Sequence, residues 1–340
     1  MNCNEKYYRK VMGSIGLTML LFLGLINVCG LAVFAFDYIL IMLDIPEVPA
    51  TIAYELFYGT GYTLSFMLPV LLLKSLLQKS SYSYIPMRMT VRFSPWAFLA
   101  FPAGIALIYS ASYINMGMVS FFDYSSFSSE VLWGSDAAAL EPYQIVLQFI
   151  VMCAVPGFCE EFLFRGAIMT NCMPFGRVNA ILISSFLFAM MHQNAEQIFY
   201  TFIAGLFLAV LYDMTGSIWP GTVLHILNNF SSLIYGVIFE KYGYGENGGV
   251  FTVVFDLVIL VLGLISLAIL LMRYFTRKSD LGDGIFGKEL RASDGYAAYP
   301  VAPKRAFKLF LTPSMIVFLI FATLQVVALI MMAVLYGIFA

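Results

Sequence analysis

Val11 to Phe36 reads VMGSIGLTMLLFLGLINVCGLAVFAF, a stretch without one charged side chain. A helix needs about 20 mainly apolar residues to cross the hydrocarbon of a bilayer, so this stretch is long enough to span. Lys6, Arg9 and Lys10 precede it, as bases precede the apolar core of a secretory leader. Such a core runs only about 7–15 residues, and the longer stretch is expected to stay as a spanning helix. The whole chain shares the bias, with 61% hydrophobic and 11% charged over 340 residues and mean hydropathy +0.88. A soluble domain carries about 25% charged residues, and here there is too little polar surface to coat a globule in water. The apolar surplus must face lipid.

Reading outward with the same window predicts spans near 11–36, 53–77, 95–119, 143–170, 178–192, 196–213, 218–239, 250–272 and 310–339. The expected fold is all-α, a polytopic membrane bundle of about eight to nine helices. The fifth and sixth stretches are short, as in a tilted or re-entrant hairpin. Placing the N-terminus inside puts all but two of the 18 basic residues in inner segments, as the positive-inside rule requires. The two exceptions are Lys241, in an outer loop, and Arg165, within a span. The predicted topology is N-in and C-out, in three segments: 1–142 with three helices and an acidic outer loop (120–142), a helical core 143–240, and 241–340 with a basic inner loop (273–308). The five cysteines include no CxxC pair, and the four that fall in apolar runs read as small buried hydrophobes.

An ionisable side chain in mid-membrane costs about 2.5–3.5 kcal/mol on insertion scales, so each one needs a reason. The fourth span carries Glu160, Glu161 and Arg165, the fifth ends at Phe188-x-x-x-His192, and the seventh holds His225, Asn228 and Asn229. The chain has only two histidines, and both sit in apolar helices. Glu161 and Arg165 are four apart with the acid first, the favoured order for an ion pair on one helix face. Glu160 is turned by about 100° from Glu161 and is left as a titratable carboxylate. Pro156 and Gly157 precede the group, and the proline is expected to break the span so that the glutamates open a second half-helix. His225 and Asn229 project to one face, on a helix started by Ser217, Trp219 and Pro220. Counting about 1.5 Å per residue puts Glu160 and Asn229 near the midplane, His225 about 10 Å from the inner end and His192 at the outer end of its short span. Glu55, Asp213 and Asp256 fall at span ends, where solvation is cheap; Asn228, Phe164 and Phe188 read as packing residues. Glu196 and Gln197 are possible lining of a substrate entrance.

Glu160-Glu161-x-x-x-Arg165, Phe188-x-x-x-His192 and His225-x-x-x-Asn229, in this order on successive apolar helices, resemble the CAAX-processing and bacteriocin-processing (CPBP/Abi) protease family over roughly 145–240. The resemblance implies an intramembrane endopeptidase acting on a membrane-associated, in some members prenylated, protein or peptide. It implies that Glu160 and His192 activate a water, that His225 and Asn229 stabilise the oxyanion, and that Glu161 and Arg165 order the helix. The family has also been described as metal-dependent, which would make Glu160, His192 and His225 zinc ligands, with a fourth position open. The HExxH pattern of soluble zinc proteases is absent. The sequence reading favours the Glu/His-activated water with no cofactor, and zinc stays open as the alternative. The expected partners are the substrate and the bilayer, with no nucleic acid, and the expected location is a bacterial plasma membrane.

Two other functions use the same residues. A proton-coupled transporter would pass protons along Glu160 and the histidines, although the chain shows no internal repeat. A non-catalytic immunity or regulatory protein would bind a peptide without cutting it. Peptide turnover, pH-dependent flux, and protection that survives loss of Glu160 distinguish the three.

Overall fold

The computed structural model describes residues 2–79, 84–87, 89, 95–120, 140–242, 246–276 and 301–339. The acidic loop at 120–142 and the basic loop at 273–308 lie for the most part outside the described residues, as does the Glu196 side chain. Among the described residues there is no strand. The helices are α1 (Cys3–Met42), α2 (Glu47–Gln78), α3 (Pro95–Ser120), α4 (Pro142–Phe175), α5 (Arg177–Met191), α6 (Ala195–Thr215), α7 (Ile218–Tyr242), α8 (Glu246–Thr276), the short α9 (Pro303–Phe310) and α10 (Pro313–Phe339).

Seven of these are long and apolar enough to cross a membrane: α1, α2, Phe98–Asn115 of α3, α4, Gln197–Thr215 of α6, Val253–Met272 of α8 and Pro313–Met332 of α10. Their outward faces are bare hydrocarbon; Leu31 is 72% and Phe34 76% exposed. Water would not tolerate such faces, and lipid does. The protein is an integral, multi-pass membrane protein. Of the other two expected spans, α7 has 25 residues but carries His225, Asn228 and Asn229. The 15-residue α5 rises only about 22 Å, short of the roughly 30 Å hydrocarbon thickness.

The chain divides into two compact units, each built from separated stretches, and the 143–240 segment contributes to both. The first unit takes Met1–Met87, Leu140–Ala180 and Tyr296–Phe321. In it, α1 and α2 pair through the Phe22–Phe66 and Phe36–Phe57 ring contacts, with centroids 4.8 and 4.5 Å apart. α4 packs on α2 and carries the first group of polar residues.

α4 differs from expectation at Pro156. The helix does not break there. It runs from Pro142 to Phe175 with two π-helical stretches, Phe149–Ala154 and Phe162–Met169. Proline has no N–H to donate and crowds the carbonyl one turn earlier. Widening that turn to five-residue bonds, as in Val155 N–H to the Ile150 carbonyl, takes up the misfit without opening the backbone to lipid. Glu160 and Glu161 therefore lie inside a continuous helix, not at the start of a new one.

The second unit takes Arg88–Ala139, Ile181–Gly295 and Ala322–Ala340. α3 is its centre, packed on both α6 and α8, and a core of Ala100, Leu208, Leu211 and Leu224 joins α3, α6 and α7. Contact between α3 and α8 is made at backbone distance. A Cβ on Gly263 would collide with the Ala106 methyl and lie 2.9 Å from the Pro102 carbonyl oxygen. Small residues are what let membrane helices approach this closely. Replacing Gly263 by Val should cost about 1–3 kcal/mol by overpacking. The check is thermal melting of the purified protein in detergent, with melting at the wild-type temperature as the contrary result.

Candidate functional site

In the first unit α4 places three charged side chains within two turns, all of them buried. Arg165 Nη1 donates to Glu161 Oε1 at 2.7 Å, and neither side chain has any solvent exposure. The acid-before-base spacing of four is kept although the helix widens to π geometry from Phe162. Two further contacts hold this part of α4. Thr170 Oγ1 donates to the Arg165 carbonyl at 2.9 Å. Asn171, fully buried, accepts from Ile85 N at 2.9 Å and donates to the Ile85 carbonyl at 3.2 Å, and it also donates to the Ala167 carbonyl at 2.9 Å. In this way one side-chain amide pairs with an extended backbone stretch as a neighbouring strand would, and no polar backbone atom at Ile85 is left to the hydrocarbon.

Glu160 points elsewhere. It is 4% exposed, and its Oε1 accepts a hydrogen bond from the Tyr62 hydroxyl at 2.5 Å. A phenol donating to a carboxylate at this distance is a strong, charge-assisted bond that fixes the carboxylate's orientation. Tyr62 is itself held in a file of rings on α2, 6.0 Å from Tyr58 and 4.8 Å from Phe66 between centroids. Nothing in the local pattern around Glu160 points to Tyr62, which is 98 residues away. The available signal is the recurrence Tyr54, Tyr58, Tyr62 at every fourth position of an apolar helix. Glu55, on the same helix, departs from its expected solvated place. It is 8% exposed, and its Oε2 has no hydrogen-bond partner among the described residues.

The histidines belong to the second unit. Phe188, buried on α5, sets its ring edge-to-face with both of them, 5.1 Å from His192 and 5.8 Å from His225. This ring, which reads in the sequence as simple packing, is the shared wall that orients both imidazoles. α6 closes on it at Gly205, where a Cβ would lie 3.3 Å from Phe188 Cδ1. His192 follows the end of α5, in a turn that carries Gln193 at φ 53°. Its Nδ1 lies 2.9 Å from the Phe188 carbonyl oxygen. A carbonyl only accepts, so Nδ1 carries the proton and the lone pair of the neutral ring is on Nε2. That is the arrangement a general base needs.

His225 is buried in the second turn of α7. The helix starts as its sequence suggests: the backbone turns at Gly216 with φ 62°, and Ser217 Oγ accepts from Trp219 N at 3.3 Å. Asn229 lies one turn beyond His225, where its Oδ1 accepts from Asn228 Nδ2 at 3.4 Å. Asn228 is tied into a serine cluster, its carbonyl accepting from Ser231 Oγ at 2.7 Å, with Tyr109 donating in turn to Ser231 at 3.1 Å. Asp256, expected to be solvated, accepts a hydrogen bond from Tyr113.

Of the sequence-predicted set, Glu160, Glu161 and Arg165 lie together in the first unit, and His192, His225 and Asn229 in the second. The zinc ligand set thus divides between the units. Within neither unit do three His, Cys, Asp or Glu side chains among the described residues form a group that could hold a metal ion.

Residues 142–231 match the family model of the type II CAAX prenyl endopeptidase Rce1-like family. The resemblance read from the three motifs holds over that segment, which contains Glu160, Glu161, Arg165, His192, His225 and Asn229. No curated protein and no solved structure matches the chain. Removing one member of the buried ion pair should destabilise the protein by about 3–5 kcal/mol, because a lone charge is then left without solvent. Arg165→Met and Glu161→Gln should each melt well below wild type, and the double variant should recover most of the loss. Equal melting of the double variant and the worse single variant is the opposing result.

Proposed function

We propose that the protein is an intramembrane endopeptidase that cuts near the C-terminus, or in the membrane-proximal part, of a membrane-associated protein or peptide, prenylated substrates included. One observation carries the reading. In a segment that matches a CAAX endopeptidase family, a carboxylate beside a self-neutralised ion pair is buried and aimed by a tyrosine that has no packing need for its hydroxyl. Structural pairing accounts for Glu161 and Arg165 but gives Glu160 no task.

The chemistry assigned to these residues is hydrolysis by an activated water. Glu160, with His192, takes a proton from water, and the resulting hydroxide adds to the scissile carbonyl carbon. His225 and Asn229 donate to the oxygen as its negative charge develops. When the tetrahedral intermediate collapses, the C–N bond breaks and the same proton goes to the leaving amine, giving a free carboxylate and a free amine. A positioned base contributes about 10²–10⁴-fold, and an oxyanion donor about 10²–10³-fold. Tyr62 acts through Glu160 as a positioning residue. By donating to Oε1 it sets the plane of the carboxylate.

The test is turnover of a fluorogenic lipidated peptide by the purified protein in detergent. Glu160→Gln should lower kcat at least about 10²-fold, and Asn229→Ala about 10²–10³-fold. Tyr62→Phe, which removes a hydrogen bond to a charged group worth about 1.5–3 kcal/mol, should reduce kcat roughly tenfold or more and leave KM unchanged. Undiminished cleavage by Glu160→Gln would end the proposal. Dialysis against a chelator should leave turnover intact. Loss of turnover that added zinc restores would replace the water mechanism by a zinc one.

A further inference from the structure

Within the first unit a groove of about 580 Å³ runs between α1 and the first turns of α10. Its origin lies in two glycines one turn apart. At Gly16 the helices touch backbone to backbone, since a Cβ there would lie 2.6 Å from Met315 N. At Gly13 a Cβ would meet nothing within 4 Å, so the missing side chain leaves open space. Ser314 Oγ bridges the two helices beside it by donating to the Gly13 carbonyl at 2.8 Å.

The lining changes character along α1. Arg9 and Lys10, both exposed, stand at one end. Next come hydroxyls, Ser14 with Thr312 and Ser314, and beyond them Leu17, Leu20 and Val317. From Arg9 to Leu20 the wall rises about 16 Å, from cationic through polar to apolar. α9 marks the membrane surface at the cationic end. Arg305 Nε donates to Glu5 Oε1 at 2.8 Å, which ties α9 to the start of α1. Lys304 and Lys308 are exposed on α9, as is Phe307, the pattern of a helix lying in the headgroup layer.

We propose that this groove is a binding site for an anionic glycerophospholipid of the leaflet that meets this basic end. Its phosphate would rest on Arg9 and Lys10, its ester region beside the three hydroxyls, and one acyl chain along Leu17, Leu20 and Val317. The order of the lining is the order of groups along such a lipid, and the charge selects an anionic headgroup over one that carries its own ammonium. The site is separate from Glu160 and does not rest on the peptidase reading.

The experiment is thermal melting of the full-length protein in detergent, titrated with phosphatidylglycerol and with phosphatidylcholine of the same chains. Phosphatidylglycerol should raise the melting temperature at much lower concentration than phosphatidylcholine. Arg9→Gln/Lys10→Gln should raise the half-saturating concentration about tenfold or more, and Gly13→Leu, which fills the groove, should abolish the lipid-induced rise. Equal stabilisation by the two lipids, or wild-type affinity in the double variant, would overturn the proposal. Stabilisation by inorganic phosphate alone would reassign the site to a free anion and overturn it as well. Should Gly13→Leu not fold, the double variant alone decides.

Discussion

A carboxylate and a guanidinium held 2.7 Å apart, both without solvent, set the terms for everything around them. Removing such ions from water costs several kcal/mol each, and only close mutual geometry repays it. α4 meets that demand from within itself. The pair lies along the helix axis, with Glu161 just before the π-helical stretch Phe162–Met169 and Arg165 within it, and Thr170 and Asn171 fasten the turns that follow. Because Arg165 is committed to Glu161, the neighbouring Glu160 is left as a carboxylate with a different partner. Its hydrogen bond comes from α2, through a hydroxyl that orients the carboxylate without neutralising it.

The second unit solves a different problem, the orientation of two imidazoles. Phe188 offers one ring to both and one backbone carbonyl to His192. Flat rings packed edge to face resist rotation, and the carbonyl fixes which nitrogen of His192 bears the proton. In the proposed hydrolysis the carboxylate comes from the first unit, and the imidazole lone pair and the amide come from the second.

Much of this was legible in the sequence, for physical reasons. The uncharged run Val11–Phe36 could only be a spanning helix and lies within α1. Helix geometry alone dictates the meeting of Glu161 with Arg165 and the divergence of Glu160 from both. The three motifs were enough to suggest the family that the match over 142–231 supports. What was not legible depends on partners distant in sequence or on helix irregularity. Pro156 reads as a break because the ordinary α-helix offers no remedy, whereas a π turn does. Tyr62 finds Glu160, and Asn171 finds Ile85, only after α2 and α4 pack. Glu55 lies near the start of the predicted span 53–77 and so reads as solvated, yet it sits two turns inside α2 and tertiary packing buries it. Phe188 reads as ordinary core because aromatic residues in apolar helices usually are.

The central claim is that the carboxylate of the first unit and the imidazole of the second serve one chemical step. A double-mutant cycle on kcat for peptide cleavage, using Glu160→Gln and His225→Ala singly and together, tests it most directly. Residues that act as a unit give strongly non-additive losses. The account predicts that the double variant is about as slow as the slower single one. Losses that multiply, or cleavage that persists when both side chains are gone, would contradict it.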